Sequence, residues 1–410
     1  MAQLGWIDFS KTHKDRVATV LDLLKLDGMV DELGVGVVRD AFANEMFPGI
    51  STIQTRAKYF FLTPYILWDY CRLSPAKRKG LSVQKYMERQ ENETMWHLID
   101  LYNGQIGEGV IGILKKRPQT LMRKPSAIYW NGMTFYKFIN TDLSITPFLL
   151  SKSRHSLESL LAESIEGDDT PGDDRDAEFE NVFNLRVKPD NKWYENLSEI
   201  RLELTHDEAD FFKSRIIENA GNRLISVLIK NDNLFTLFNK SKSFEEFARE
   251  CHDFPVSDSL KAILALAHDF SEVMYGTHIL YNKLIQQKFF QNNCFDGEWH
   301  RWNSNINNSL IDPNNLNEKA IFSYALQAKK HTQIFISEWI NCVHLKRFDD
   351  EKMEKLVYDQ EIWNKRFKAR LNKNDVQDVK ENEWLGFRRL DYRFSQAKRI
   401  LTDIINGLNN

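Results

Sequence analysis

From about Ser257 to Phe290, apolar residues recur at the helical period for more than thirty positions. A helix of that length carries one continuous apolar stripe, and the stripe has to be buried against other elements. The same period returns over residues 14–33, 36–46, 51–63, 83–103 and 126–139, and later over 317–345, 349–371 and 384–408. Thr205 and Glu208 have capping-box spacing ahead of the helical run DEADFFKSRIIEN. Strand patterns are few, the clearest being SEIRLELT just before that cap. The expected fold is therefore mainly α: a multi-helix, two-lobed protein with a few short strands, as small β or winged-helix-like elements.

The clearest break in these patterns is Glu163–Glu180, which has nine acids, two glycines, one proline and no period of either kind. It reads as a solvated acidic linker. The expected division is a helical domain over 1–160, the linker over 161–185 and a second helical domain over 186–410. With 410 residues, 42% hydrophobic content and ten tryptophans, the chain has ample material for folded cores rather than a disordered ensemble. No 18-residue apolar run suggests a membrane span, and the first residues lack a basic region followed by an apolar core. The four cysteines, Cys71, Cys251, Cys294 and Cys342, are widely separated and form no CxxC pair. Together these features lead to the expectation of a reduced, cytoplasmic protein.

A net charge of −3 argues against binding nucleic acid over the whole surface, yet the charge is uneven. Six cations and no acid lie between Gly109 and Thr141. Lys115, Lys116, Arg117, Arg123 and Lys124 cluster there, just ahead of the aromatic-rich SAIYWNGMTFYKF. Cations beside aromatics suit a phosphate backbone with stacked bases. The alternative is a wet loop beside core aromatics. The last helical run presents a second basic face, with Arg388, Arg389, Tyr392 and Arg399 opposite an apolar arc containing Phe387, Leu390, Phe394 and Leu401. That face suits phosphate, an acidic partner or plain solvent.

Met46–Tyr70 packs several signals together: a Pro48-Gly49 turn, Ser51 and Gln54 at capping-box spacing, then an apolar stripe of Ile53, Ala57, Phe60 and Phe61 closed by Pro64. Helical geometry puts Arg56 at the edge of that stripe and Lys58 roughly opposite it, in solvent. Two readings fit Arg56: a side chain reaching a carboxylate or carbonyl, or a contact to phosphate or a partner.

Catalytic patterns are weak. Gly107, Gly109 and Gly112 spell G-x-G-x-x-G, but the preceding residues look helical and no βαβ unit surrounds them. The pairs His206-Asp207, His252-Asp253 and His268-Asp269 lack the further ligands a metal phosphohydrolase would need. His268 and His278 sit about 15 Å apart along one helix. No catalytic residue, metal site or cofactor is expected.

Five segments, LGWIDFS, FPGISTIQTRAKYFFLTPYI, PSAIYWNGM, YNKLI and LDYRFSQAKRIL, together resemble an uncharacterised bacterial family of about this length. Its genes tend to lie in anti-phage defence islands near helicases that carry phospholipase-D-like nuclease domains. The resemblance implies a defence component with helicase or nuclease partners and assigns no catalytic residue. The resulting expectation is a non-enzymatic component that binds nucleic acid or scaffolds such a partner. An adaptor without nucleic-acid contact and an unrecognised metal-dependent nuclease are the alternatives.

Overall fold

The computed structural model describes residues 30–102, 107–154, 187, 200–308, 316–348 and 351–410. The acidic stretch 161–185, the LGWIDFS segment and most of the expected helix 14–33 lie outside them. Within the described residues the chain forms sixteen α-helices and no strand, so the mainly α expectation holds and the short strands do not appear. In chain order the first eight are α1 (Gly36–Met46), α2 (Tyr59–Arg72), α3 (Pro75–Arg78), α4 (Val83–Leu101), α5 (Pro125–Phe135), α6 (Ile145–Arg154), α7 (His206–Ala220) and α8 (Leu224–Lys230). They continue as α9 (Asp232–Lys240), α10 (Phe244–Glu250), α11 (Asp258–Phe290), α12 (Asp296–Asn307), α13 (Glu318–Tyr324), α14 (Lys330–His344), α15 (Glu351–Lys365) and α16 (Phe394–Leu408). None of them is long and apolar enough to cross a membrane.

The helices gather into two compact units, each drawn from separate parts of the chain. One unit takes the described residues up to Glu45 together with Ser241–Tyr392; the other takes Met46–Lys240 together with Arg393–Asn410. The first is organised on α11, whose expected extent is matched to within a residue. Two tryptophans from neighbouring helices cap free lone pairs of its carbonyls: Trp302 Nε1 donates to Glu272 O at 2.8 Å and Trp339 Nε1 to Val273 O at 2.9 Å. Gly276 makes room for this, because a Cβ there would lie 2.2 Å from the Trp302 ring.

One side of α11 is polar, yet buried. Ser271, Glu272, His278, Asn282 and Gln286 all lie within the unit; Ser271, Asn282 and Gln286 hold a non-helical segment, 380–390, by its backbone, and Glu272 holds it by the Arg389 side chain. Asn282 exchanges two hydrogen bonds with Leu385, donating to its carbonyl at 3.0 Å and accepting from its N–H at 2.7 Å. Gln286 accepts from Asn382 N and donates to Lys380 O, each at 3.0 Å. Ser271 accepts from Leu390 N at 2.8 Å. Without a sheet to pair with, this backbone is satisfied by side chains.

This explains a correction. The expected helix 384–408 is broken: only Phe394–Leu408 is helical, and Tyr392 and Arg393 take positive φ values of 50° and 64°. Side-chain partners on α11 offer residues 380–390 hydrogen bonds that a helix would otherwise have supplied. The expected 317–345 helix is similarly divided into α13 and α14.

In the second unit α7 packs along α16, while α2 packs against α4 and α5. Its core is aromatic: Phe60 lies 4.6 Å from Phe212 and 5.0 Å from Tyr129, and Phe61 lies 5.0 Å from Phe138 by ring centroids. The expected helix 51–63 is also corrected. Residues 51–58 are turns, and α2 runs from Tyr59 straight through Pro64. The missing proline N–H costs one ladder bond, and the burial of Phe60, Phe61, Tyr65, Ile66 and Leu67 along the same helix outweighs it.

Lys58 is corrected as well, because it is buried rather than solvated. Its Nζ donates to both oxygens of Glu208, at 2.6 and 2.7 Å. Glu208 also accepts from Tyr65 OH at 3.0 Å and from Thr205 N at 2.9 Å, the second as half of the expected capping box of α7. A buried carboxylate with four hydrogen bonds from three donor groups is well held, and removing its counter-charge leaves it uncompensated. Lys58→Ala is expected to lower stability by about 3–5 kcal/mol, measured by urea denaturation; a loss below about 1 kcal/mol would show the pair to be energetically idle.

His278 is the opposite case. It is fully buried in α11, neither ring nitrogen has a hydrogen-bond partner among the described residues, and burial pulls its pKa from 6.5 down to about 3. The unfolded chain therefore takes up a proton below pH 6.5 that the folded protein refuses. Stability should fall as pH drops through this window, by about 1.4 kcal/mol per pH unit from this group. His278→Phe should remove that slope from the difference between wild-type and variant unfolding free energies. In the wild type, an imidazole resonance that fails to titrate between pH 8 and 5 reports the same group directly.

Candidate nucleic-acid interface

The basic stretch 115–124 is a non-helical loop clamped along one stripe of α4. Residues 88, 92, 96 and 100 recur every fourth position, so they line one side of the helix over about 18 Å. Each holds a point on the loop, in antiparallel order. Glu88 pairs with Lys124 Nζ at 3.1 Å, and Asn92 Oδ1 accepts from Leu121 N at 3.1 Å. The Arg117 guanidinium lies 5.0 Å above the Trp96 ring and donates to Asp100 at 2.5 Å. Within the loop, Lys115 N donates to Gly112 O and Gln119 N to Lys116 O, both at 2.8 Å.

At its far end the loop runs into α5, where Glu91 Oε1 accepts from Ser126 N at 2.7 Å. Burial pushes the Glu91 carboxyl up to about 7, against the pull of that N–H and of Lys124. The loop is thus tied to α4 at both ends and in the middle.

This clamp divides the five predicted cations into two kinds. Arg117 and Lys124 are spent on α4 carboxylates. Lys115, Lys116 and Arg123 have no carboxylate partner among the described residues; Lys116 and Arg123 are exposed and Lys115 partly so. Beside them Leu114 is 77% exposed. The neighbouring aromatics Tyr129, Trp130 and Phe138 are buried, so they belong to the core.

Arg56 lies elsewhere in the same unit and is fully engaged. Its side chain is 13% exposed, with Nε 3.0 and 2.9 Å from the two oxygens of Asp403 on α16 and Nη1 donating to Glu108 O at 2.8 Å. Burial raises the Asp403 carboxyl while Arg56 draws it down. The same carboxylate accepts from Ala57 N at 2.9 Å, and Tyr129 OH accepts from Thr55 N and Arg56 N at 2.7 and 3.1 Å. The glycine run serves this arrangement. All three glycines have positive φ, and a Cβ on Gly109 would lie 2.8 Å from Arg56 Cγ. Of the two readings of Arg56, the geometry matches the side chain that reaches a carboxylate and a carbonyl.

The four residues of the second basic face do not share a helix. Arg399 is exposed on α16, whereas Arg388, Arg389 and Tyr392 precede that helix and belong to the other unit. Tyr392 is fully buried, its hydroxyl donating to Ala267 O at 2.6 Å. Arg389 is ion-paired to Glu272 and, at 3.1 Å, to Glu245, and lies 4.2 Å above the Tyr275 ring. Arg388 is 59% exposed and lies 4.4 Å above Trp384, with Glu298 3.7 Å away. Three glutamates beside two arginines leave this surface without a cationic excess.

Each His-Asp pair is only a contact between sequence neighbours, as with His268 Nδ1 and Asp269 at 2.9 Å. No group of three metal-ligating side chains forms among the described residues. Two partners were missed in the sequence. Asp403 is a single acid on an otherwise apolar flank of α16, and Trp96 lies in a polar stretch; the four-residue spacing of 88, 92, 96 and 100 is the signal that would have found the clamp.

Comparison with known families gives a match over residues 1–407 to a family of unknown function, DUF6361. The chain belongs to the DUF6361 family. No curated protein and no solved structure matches it. In this DUF6361 chain the basic loop on α4 carries three cations that have no carboxylate partner among the described residues, beside the half-buried Trp96.

Proposed function

We propose that this protein is a non-enzymatic binding component of a bacterial anti-phage defence system, contacting nucleic acid through the loop over 114–124. The observation that carries this reading is the clamp: the loop is fixed to α4 by Arg117, Leu121 and Lys124, while Lys115, Lys116 and Arg123 are left without carboxylate partners among the described residues. Cations held on a fixed loop exchange counterions for phosphates at little ordering cost. A net charge of −3 keeps such binding local. The defence setting and its helicase or nuclease partners come from the family resemblance and are part of the same proposal.

The reading predicts salt-dependent binding of labelled 20-mer DNA. Lys115→Ala, Lys116→Ala and Arg123→Ala combined should make the plot of log affinity against log salt shallower by about 3 on duplex and about 2 on single strands. Fluorescence anisotropy from 50 to 200 mM salt measures this. Undetectable wild-type binding at 50 mM salt, or an unchanged slope in the triple variant, rules the reading out and leaves the protein–protein adaptor in its place.

A further inference from the structure

We infer that the Trp96–Arg117 stack is a platform for an unpaired base, so that this surface takes single-stranded nucleic acid in preference to duplex. The inference rests on the reading of the 114–124 loop as the nucleic-acid contact, and it names the form bound.

The argument begins with Arg117. Its charge is already compensated, because Asp100 accepts from Nη2 at 2.5 Å, so it adds little to the attraction for phosphate. Its plane remains available. The guanidinium lies 5.0 Å above the Trp96 ring and the side chain is 60% exposed, so an accessible planar cation sits over a half-buried indole. Guanidinium and indole faces are the surfaces on which unstacked bases lie, and such stacking tolerates any sequence. In a duplex both faces of each base are covered by neighbouring pairs, so only an unpaired base can use the platform.

The cations around it fit a backbone passing over this stack. Lys115 and Lys116 immediately precede Arg117, and Arg123 lies beyond the Leu121 anchor, so uncompensated positive charge flanks the stack on both sides in sequence. Asp100 and Glu88 face the loop from α4 and each is taken by a cation of the loop, while Glu91 accepts from Ser126 N where the loop meets α5. The clamp fixes the guanidinium over the ring before any ligand arrives, which lowers the ordering cost of stacking. Another arginine–aromatic pair, Arg388 over Trp384, lacks this setting, because Glu298 lies 3.7 Å from Arg388 and the neighbouring Arg389 is paired to Glu272 and Glu245.

The test compares a labelled 20-mer oligothymidylate with a 20-bp duplex at one salt concentration. The wild type should bind the single strand more tightly. Trp96→Ala should weaken single-strand binding by about tenfold or more and duplex binding by much less, while Trp96→Phe keeps most of the affinity. Arg117→Lys preserves the charge at an exposed position and removes the plane, so it should weaken the single strand several-fold and leave the fold intact. Equal wild-type affinity for the two probes overturns the inference. So does wild-type-like binding of oligothymidylate by both Trp96→Ala and Arg117→Lys; the loop would then be an electrostatic contact only, and the basic-loop reading would stand without the platform. Wild-type binding to neither probe overturns that reading and this inference together.

Discussion

Every buried N–H and C=O must find a partner, and this fold has no sheet among its described residues to supply one. The helices satisfy their own backbones; the segments between them cannot. The fold depends on buried side chains that take over the task. In one unit Asn282, Gln286 and Ser271 hold the 380–390 segment, and Glu361 accepts from Arg370 N and Leu371 N at 2.8 and 2.9 Å. In the other, Asp403 and Tyr129 hold residues 55–57, Tyr59 OH accepts from Ile111 N at 2.9 Å, and Tyr136 OH donates to Pro48 O at 2.5 Å. Many polar side chains that look functional in the sequence are engaged in this way.

The same accounting separates structural cations from surface ones. Arg56, Lys58 and Arg389 each have a buried carboxylate partner, and the cost of leaving that carboxylate alone binds them to the fold. A cation so committed has little left for a ligand. Lys115, Lys116 and Arg123 stand on the other side of the division. Their loop is ordered by different residues, and they have no carboxylate partner among the described residues even though their backbone is fixed. That pairing of a fixed backbone with free charge suits a binding surface better than the cation count alone does.

Helical periodicity was legible in the sequence wherever an apolar stripe faced one core continuously. The 33-residue helix α11 and the shorter Gly36–Met46, Val83–Leu101 and Pro125–Phe135 helices lie close to their expected positions. The misreadings occurred where a helical pattern was present but another partner won. Residues 51–58 carry a capping signal, yet Gln54 uses its side chain in a turn, accepting from Ser51 N at 3.2 Å and donating to Gly49 O at 3.1 Å. Residues 384–392 carry a helical apolar pattern, yet α11 supplies their hydrogen bonds. At 384–392 the deciding residues lie far away in the chain. Of the candidate site, the cluster of cations was legible, while its division into paired and unpaired members was not.

The sequence by itself determined the class of fold, the positions of the long helices and the place where cations outnumber acids, because these follow from local period and composition. Tertiary structure alone decided which of those cations are available. Arg56 and Lys58 are two positions apart and face Asp403 and Glu208, which are 347 and 150 residues away. Arg117 and Lys115 are also two positions apart; one is neutralised by Asp100 over Trp96 and the other has no carboxylate partner among the described residues. The physical reason is that an ion pair depends on distance in space, falling off within a few ångströms, and a helical pattern fixes spacing only along its own axis.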